Sequence, residues 1–138
     1  MRSPARRGLL PRAAINLEAV VALTRASITL RMSQESQIPR LLGQPAAPAQ
    51  DPPARPELEA NLVGWAVIRA ARLLPWHPTC LPQALAAKAM LVRRGISFES
   101  HLGVIQTAPF KAHAWVTVAG TPIVGGPTHH ATRVATFH

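Results

Sequence analysis

Cys80 is the only cysteine in the 138-residue chain, and it stands where a helix should begin. His77-Pro78-Thr79 ahead of it reads as a turn, and Pro82 is tolerated in a first helical turn, where no donor is needed. The positive end of a helix dipole and its outward N–H groups stabilise a thiolate, the nucleophilic form of cysteine. A thiolate nucleophile works with a base, and His113 is the candidate. It lies mid-strand in Lys111-Ala112-His113-Ala114-Trp115-Val116. A helix-opening Cys facing a strand-borne His across a helix–sheet interface is the layout of a thiolate–imidazolium pair. The bland reading stands beside it: a lone cysteine is most often a small buried hydrophobe, and one of six histidines pairs with a cysteine by chance in many proteins.

The other chemically capable residues carry less. His77 reads as a surface turn residue, with tuning of Cys80 as the sharper option. Gln83, one turn past the cysteine, reads as a solvated helix residue, and the backbone N–H of Cys80 is the better oxyanion donor. Trp115 reads as core packing beneath the site and Trp65 as a helix–helix anchor. His101 reads as a plain strand residue. His129, His130 and His138 have no cysteine or acidic neighbours, so no metal site is expected, and no cofactor site is apparent.

Two kinds of element must position Cys80 and His113. Residues 1–12 form a basic, Pro/Gly-punctuated arm, and the pattern predicts a helix over 13–32. Ile15, Val20, Leu23, Ser27 and Leu30 fall near one face, widened by Leu17, Val21 and Ile28. A short helical piece is predicted over Ser36–Leu42, with Gly43 as its stop. Gln44–Pro56 carries five prolines in thirteen residues and reads as an extended linker. A third helix starts after Pro56, with Glu57 and Glu59 in its first turn; its stripe is Leu58, Leu62, Trp65, Ile68 or Arg69, and Leu73, and Pro75 closes it. The fourth runs from Cys80 to about Arg94, with Leu81, Leu85, Ala89 and Val92 on one stripe and Gly95 as C-cap. Ile96–Gln106 and Lys111–Ala119 then read as strands, Ala119-Gly120 as a tight hairpin turn, Thr121–Val124 as the returning strand and Arg133–Phe137 as a last short strand. Helices followed by an antiparallel sheet make an α+β domain. The organisation expected is a helical segment over 1–43, a linker over 44–56 and a catalytic core over 57–138.

The bulk numbers narrow the class. The chain is long enough for one compact domain, and its 48% apolar content supplies a core. Three Trp, three Phe and no Tyr argue against a stacking platform for single-stranded nucleic acid. The formal charge is +9, with no acid after Glu99, which favours an anionic partner without choosing among them. No nucleic-acid motif is present. One cysteine excludes an internal disulfide and fits a reducing compartment. The apolar stretch from Ala13 to Leu30 is interrupted by Asn16, Glu18, Thr24 and Arg25, so a spanning helix and a signal peptide are not expected, and the location expected is the cytoplasm.

The segment CLPQALAAKAMLVRRGISFESHLGV followed by KAHAWVTVAGTPIVGG resembles the transglutaminase-like domain of lasso-peptide maturation proteases, over about residues 75–126. The matching features are Cys80-Leu81, Ala84-Leu85-Ala86, Arg93-Arg94-Gly95, Gly103-Val104 and His113-Ala114-Trp115-Val116. The resemblance implies a transglutaminase/papain-like core with N-terminal helices packed on a small antiparallel β-sheet. It implies Cys80 as nucleophile, His113 as general base and acid, and removal of a leader from a ribosomally made lasso precursor peptide. It also implies two protein partners: a leader-recognition protein, expected here as a separate chain, and an ATP-dependent cyclase, through which any ATP requirement would enter. One departure stands out. Many relatives orient the histidine with an acid a dozen positions later, where this chain reads Ile123-Val124-Gly125-Gly126-Pro127-Thr128. A backbone carbonyl, Thr128 or Glu99 is left for that role, or none, and the alternative outcome is a catalytically weak scaffold that binds precursor or cyclase.

Overall fold

The computed structural model describes residues 12–43, 53–105, 111–125 and 131–137. The basic arm, most of the Pro-rich linker, Thr128, His129, His130 and His138 lie outside the described residues.

Helix α1 spans Arg12–Met32, and a 3-10 turn at Glu35–Gln37 leads into α2 at Ile38–Gly43. Helix α3 spans Pro56–Leu73 and α4 spans Cys80–Arg93. The strands are β1 Glu99–Ile105, β2 Lys111–Val118, β3 Thr121–Val124 and β4 Ala131–Phe137. They form one sheet in the order β3-β2-β1-β4, and every paired neighbour is antiparallel. This is the expected α+β architecture.

Three local signals act as anticipated. Pro56 occupies the first turn of α3, with Glu57 and Glu59 beside it. Gly95, at φ 67°, ends α4: its N–H donates to Val92 O and that of Ile96 to Leu91 O, the paired bonds of a Schellman cap. Ala119 and Gly120, at φ 51° and 80°, make the doubly left-handed turn that matches strand twist in a two-residue hairpin.

Helices α1, α3 and α4 pack on one another, α4 lies on β2, and α3 lies on β3. Their shared core includes Leu23, Val63, Val67, Met90, Leu91, Val116 and Val124. The helix faces that build it coincide only in part with the predicted stripes: Ile15 and Leu23 lie in it, and Val20, Leu62, Ile68, Leu81 and Leu85 pack against it. On α1 the buried positions are Ile15, Ala19, Leu23 and Ala26, while Leu17, Val21 and Ile28 are exposed. On α3 the buried side is Ala60, Val63, Gly64, Ala66, Val67, Ala70 and Ala71, and Leu58, Trp65 and Leu73 face outward. On α4 it is Ala84, Ala86, Ala87, Lys88, Met90 and Leu91, with Ala89 exposed. The cause is the same in all three helices. Alanines and a glycine let the backbones approach closely, so small residues share the interface with Ile15, Leu23, Val63, Val67, Met90 and Leu91. Gly64 is the extreme case, since a Cβ there would lie 2.3 Å from the Ile123 carbonyl oxygen. Trp65 is accordingly no helix–helix anchor; its ring carries the Arg69 guanidinium 5.2 Å from the centroid.

The expectation that the first helix is too polar to span a membrane is also corrected. By length and composition, Ala13–Met32 would suffice. One side of it lies in the common core through Ile15, Ala19 and Leu23, and Glu18 is ion-paired with Arg94, while Leu17, Val21, Ile28 and Met32 are exposed.

Candidate active site

Cys80 is the first residue of α4, as the sequence predicts, with Thr79 as N-cap in extended conformation. The approach to it is tied down at several points. His77 N–H donates to Leu74 O, and Trp76 Nε1 donates to Ser27 Oγ of α1 at 3.2 Å. Gln83 Nε2 donates to the Pro78 carbonyl at 2.9 Å, closing the turn over the start of the helix. Gln83 is half-buried, and one of its two side-chain N–H groups braces the loop that delivers the thiol. His77 is an exposed turn residue at φ 43°. The thiol itself is half-buried. The first-turn N–H groups of a helix have no intrahelical acceptor, which makes the start of α4 a place where a developing negative charge is stabilised.

His113 sits in β2, opposite Gly103 of β1. Strand alternation divides β2 cleanly. Ala114, Val116 and Val118 belong to the core beneath the helices. His113, Trp115 and Thr117 share the other face, with Glu99, His101 and Gly103 opposite them on β1. Helix α4, which Cys80 opens, packs on β2, but the side chains beneath the helices are Ala114, Val116 and Val118, and His113 lies on the opposite face of the strand. No hydrogen bond from His113 Nε2 reaches Cys80: that nitrogen is buried and has no partner among the described residues. An unsatisfied buried ring nitrogen costs on the order of 1–3 kcal/mol, so it is kept where a proton or a substrate is to meet it or where other packing compensates.

The neighbours of His113 were only partly legible. Trp115 is buried, as expected, and its ring stacks on His113 with centroids 5.6 Å apart and planes 24° apart. It also stacks on His101, at 5.1 Å and 20°. His101 is no plain strand residue. It is fully buried, with Nδ1 3.1 Å from Thr136 Oγ1 and Nε2 2.9 Å from Thr117 Oγ1. Glu99, a candidate for orienting His113, has its Oε2 3.8 Å from Nε2 of His101 instead. The period-2 pattern places His101 on the His113 face, but nothing in the sequence marks that face as buried. Gly125, at φ 99°, closes the region: a Cβ there would lie 2.3 Å from Trp115 Cβ, so only glycine fits.

No group of three metal-ligating side chains occurs among the described residues. A family model for the transglutaminase-like superfamily matches residues 20–136, from within α1 to the end of β4 and across both Cys80 and His113. No curated protein and no solved structure matches the chain. With helices, sheet and the cysteine-led α4 all inside that span, the chain belongs to the transglutaminase-like superfamily.

Proposed function

We propose that the protein is a cysteine endopeptidase that removes the leader from a lasso precursor peptide, with Cys80 as nucleophile and His113 as general base and acid. The observation that carries this is the superfamily match spanning a cysteine that opens α4 and a histidine on the strand packed against it. The lasso assignment rests on the resemblance of the Cys80–Gly126 segment.

The Cys80 thiolate attacks the scissile carbonyl carbon. Backbone N–H groups at the start of α4 receive the oxyanion. The His113 imidazolium gives its proton to the leaving amine as the C–N bond breaks, leaving a thioester on Cys80. His113 then takes a proton from water, whose oxygen attacks the thioester and releases the carboxylate and the thiol. Leader capture is assigned to a separate recognition protein. Ring closure is assigned to an ATP-dependent cyclase, and the setting to the cytoplasm.

The test is leader release from precursor peptide by the purified chain together with the recognition protein, followed by mass spectrometry. Wild type cleaves, and Cys80→Ala and His113→Ala do not, while both variants stay folded. Cleavage retained in either variant removes the assignment. The unpartnered Nε2 of His113 favours one second reading, a scaffold that binds precursor or cyclase without cutting. It predicts precursor binding by wild type and Cys80→Ala alike, with no release by either.

A further inference from the structure

His113 lacks an acid where many relatives have one, but it does not lack an aromatic neighbour. Trp115 lies two residues on, on the same face of β2, with its ring centroid 5.6 Å from that of His113 and the planes 24° apart. That distance lies within the range of favourable aromatic stacking, and within reach of attraction between a cation and an indole face. The indole is itself fixed. It is almost wholly buried and stacked on His101 at 5.1 Å, and the base of its side chain lies so close to Gly125 that no side chain fits there. His101 is fixed in turn by the hydroxyls of Thr117 and Thr136. Three rings from two strands form a column that ends at the candidate catalytic imidazole.

We propose that Trp115 is a positioning residue for His113, setting its ring plane by face stacking and favouring its charged form, in place of the hydrogen-bonded acid of relatives. This rests on the Cys80–His113 reading above. A carboxylate does two things for a catalytic imidazole: it orients the ring and it stabilises the imidazolium. A tryptophan face does both without accepting a hydrogen bond, because its negative π-surface attracts the cation while its flat area limits rotation. The other titratable groups placed on this face among the described residues are His101 and Glu99 of β1, while α4, which begins with Cys80, packs on β2 over the face of Ala114, Val116 and Val118. His101 has both ring nitrogens at hydroxyls, and Glu99 meets His101. Among the described residues, the indole is the group of this face that stacks on the His113 ring.

Truncating Trp115 endangers the fold, so the decisive variant leaves its shape almost untouched. Trp65 and Trp76 are exposed and are replaced by Phe, leaving Trp115 as the one tryptophan. That protein is produced with tryptophan carrying zero, one, two or four ring fluorines, which progressively weaken the π-face. The NMR titration of His113 and the rate of Cys80 alkylation at pH 6 are read across the series. The expected result is a stepwise move of the His113 titration to lower pH, with alkylation falling about two- to fivefold over the series. A Trp115→Phe variant retains part of the effect. A His113 titration that stays constant across the series overturns the proposal. The dyad is judged separately: fast Cys80 alkylation with a flat series removes the role of Trp115 alone, whereas a moving His113 titration with sluggish Cys80 upholds the stack and removes the dyad.

Discussion

Gln83 and Pro78 are joined across the turn that delivers Cys80, the Gln83 amide donating to the Pro78 carbonyl at 2.9 Å. Pro78 is buried and Gln83 half-buried, so the carbonyl has little water to fall back on when the donor is removed. Gln83→Leu is expected to lower stability by about 1–3 kcal/mol, read by chemical denaturation. It is also expected to slow leader release, because the loop that presents the thiol loses its brace.

His101 depends on hydroxyls from two strands. Thr117→Val keeps the shape of the side chain but removes the group 2.9 Å from His101 Nε2. A fully buried ring nitrogen is then left without that partner. The expected loss is about 1–3 kcal/mol by denaturant titration, and Thr117→Ser, which keeps the hydroxyl, restores part of it.

Glu18 anchors α1 to the end of α4. Arg94 reaches it with two N–H groups, at 2.9 and 2.6 Å, and Arg93 approaches to 3.2 Å. The Glu18 and Arg94 side chains are only 15% and 11% exposed, so solvent screens this pair weakly. Removing the acid by Glu18→Leu leaves a largely buried guanidinium without its counter-charge. The expected loss is on the order of 3 kcal/mol. Arg93→Ala, which removes a 70% exposed partner, is expected to cost less than about 1 kcal/mol.

Lys88 is a buried cation on α4, its Nζ donating to Leu41 O at 2.6 Å. Desolvation lowers its pKa from the ordinary 10.5. A lowered amine value means that the unfolded chain binds the proton more tightly than the folded one. The resulting penalty is fully present below the folded value, shrinks as pH rises through the window between the two, and is absent above 10.5. Stability attributable to Lys88 therefore rises with pH across that window. Lys88→Met is expected to remove this contribution, seen as a flatter stability profile than wild type between neutral pH and about 10.5 in paired denaturation curves.

Elements whose signal is local were legible in the residues. Pro56, Gly95 and Ala119-Gly120 mark boundaries by backbone chemistry that no distant contact alters, and Thr121–Val124 was placed to the residue. The buried helix faces were not. α1 has polar and apolar residues distributed around its circumference, and α3 and α4 are alanine-rich, so periodicity offered several stripes and packing chose among them. At the site, the helix-opening position of Cys80 and the strand position of His113 could be read. The burial of His101 and the ring column could not, because they depend on a register between strands that only the folded sheet fixes.

The central claim, a working Cys80–His113 pair, is tested most directly by the rate of Cys80 alkylation by iodoacetamide against pH, in wild type and His113→Ala. Cys80 is the single cysteine, so the label reports on it alone. An ordinary thiol titrates near about 8.5 and reacts slowly at pH 6. The account predicts fast labelling that persists to pH 6 in wild type and collapses to ordinary behaviour in His113→Ala. Slow labelling with the same ordinary profile in both proteins would contradict it.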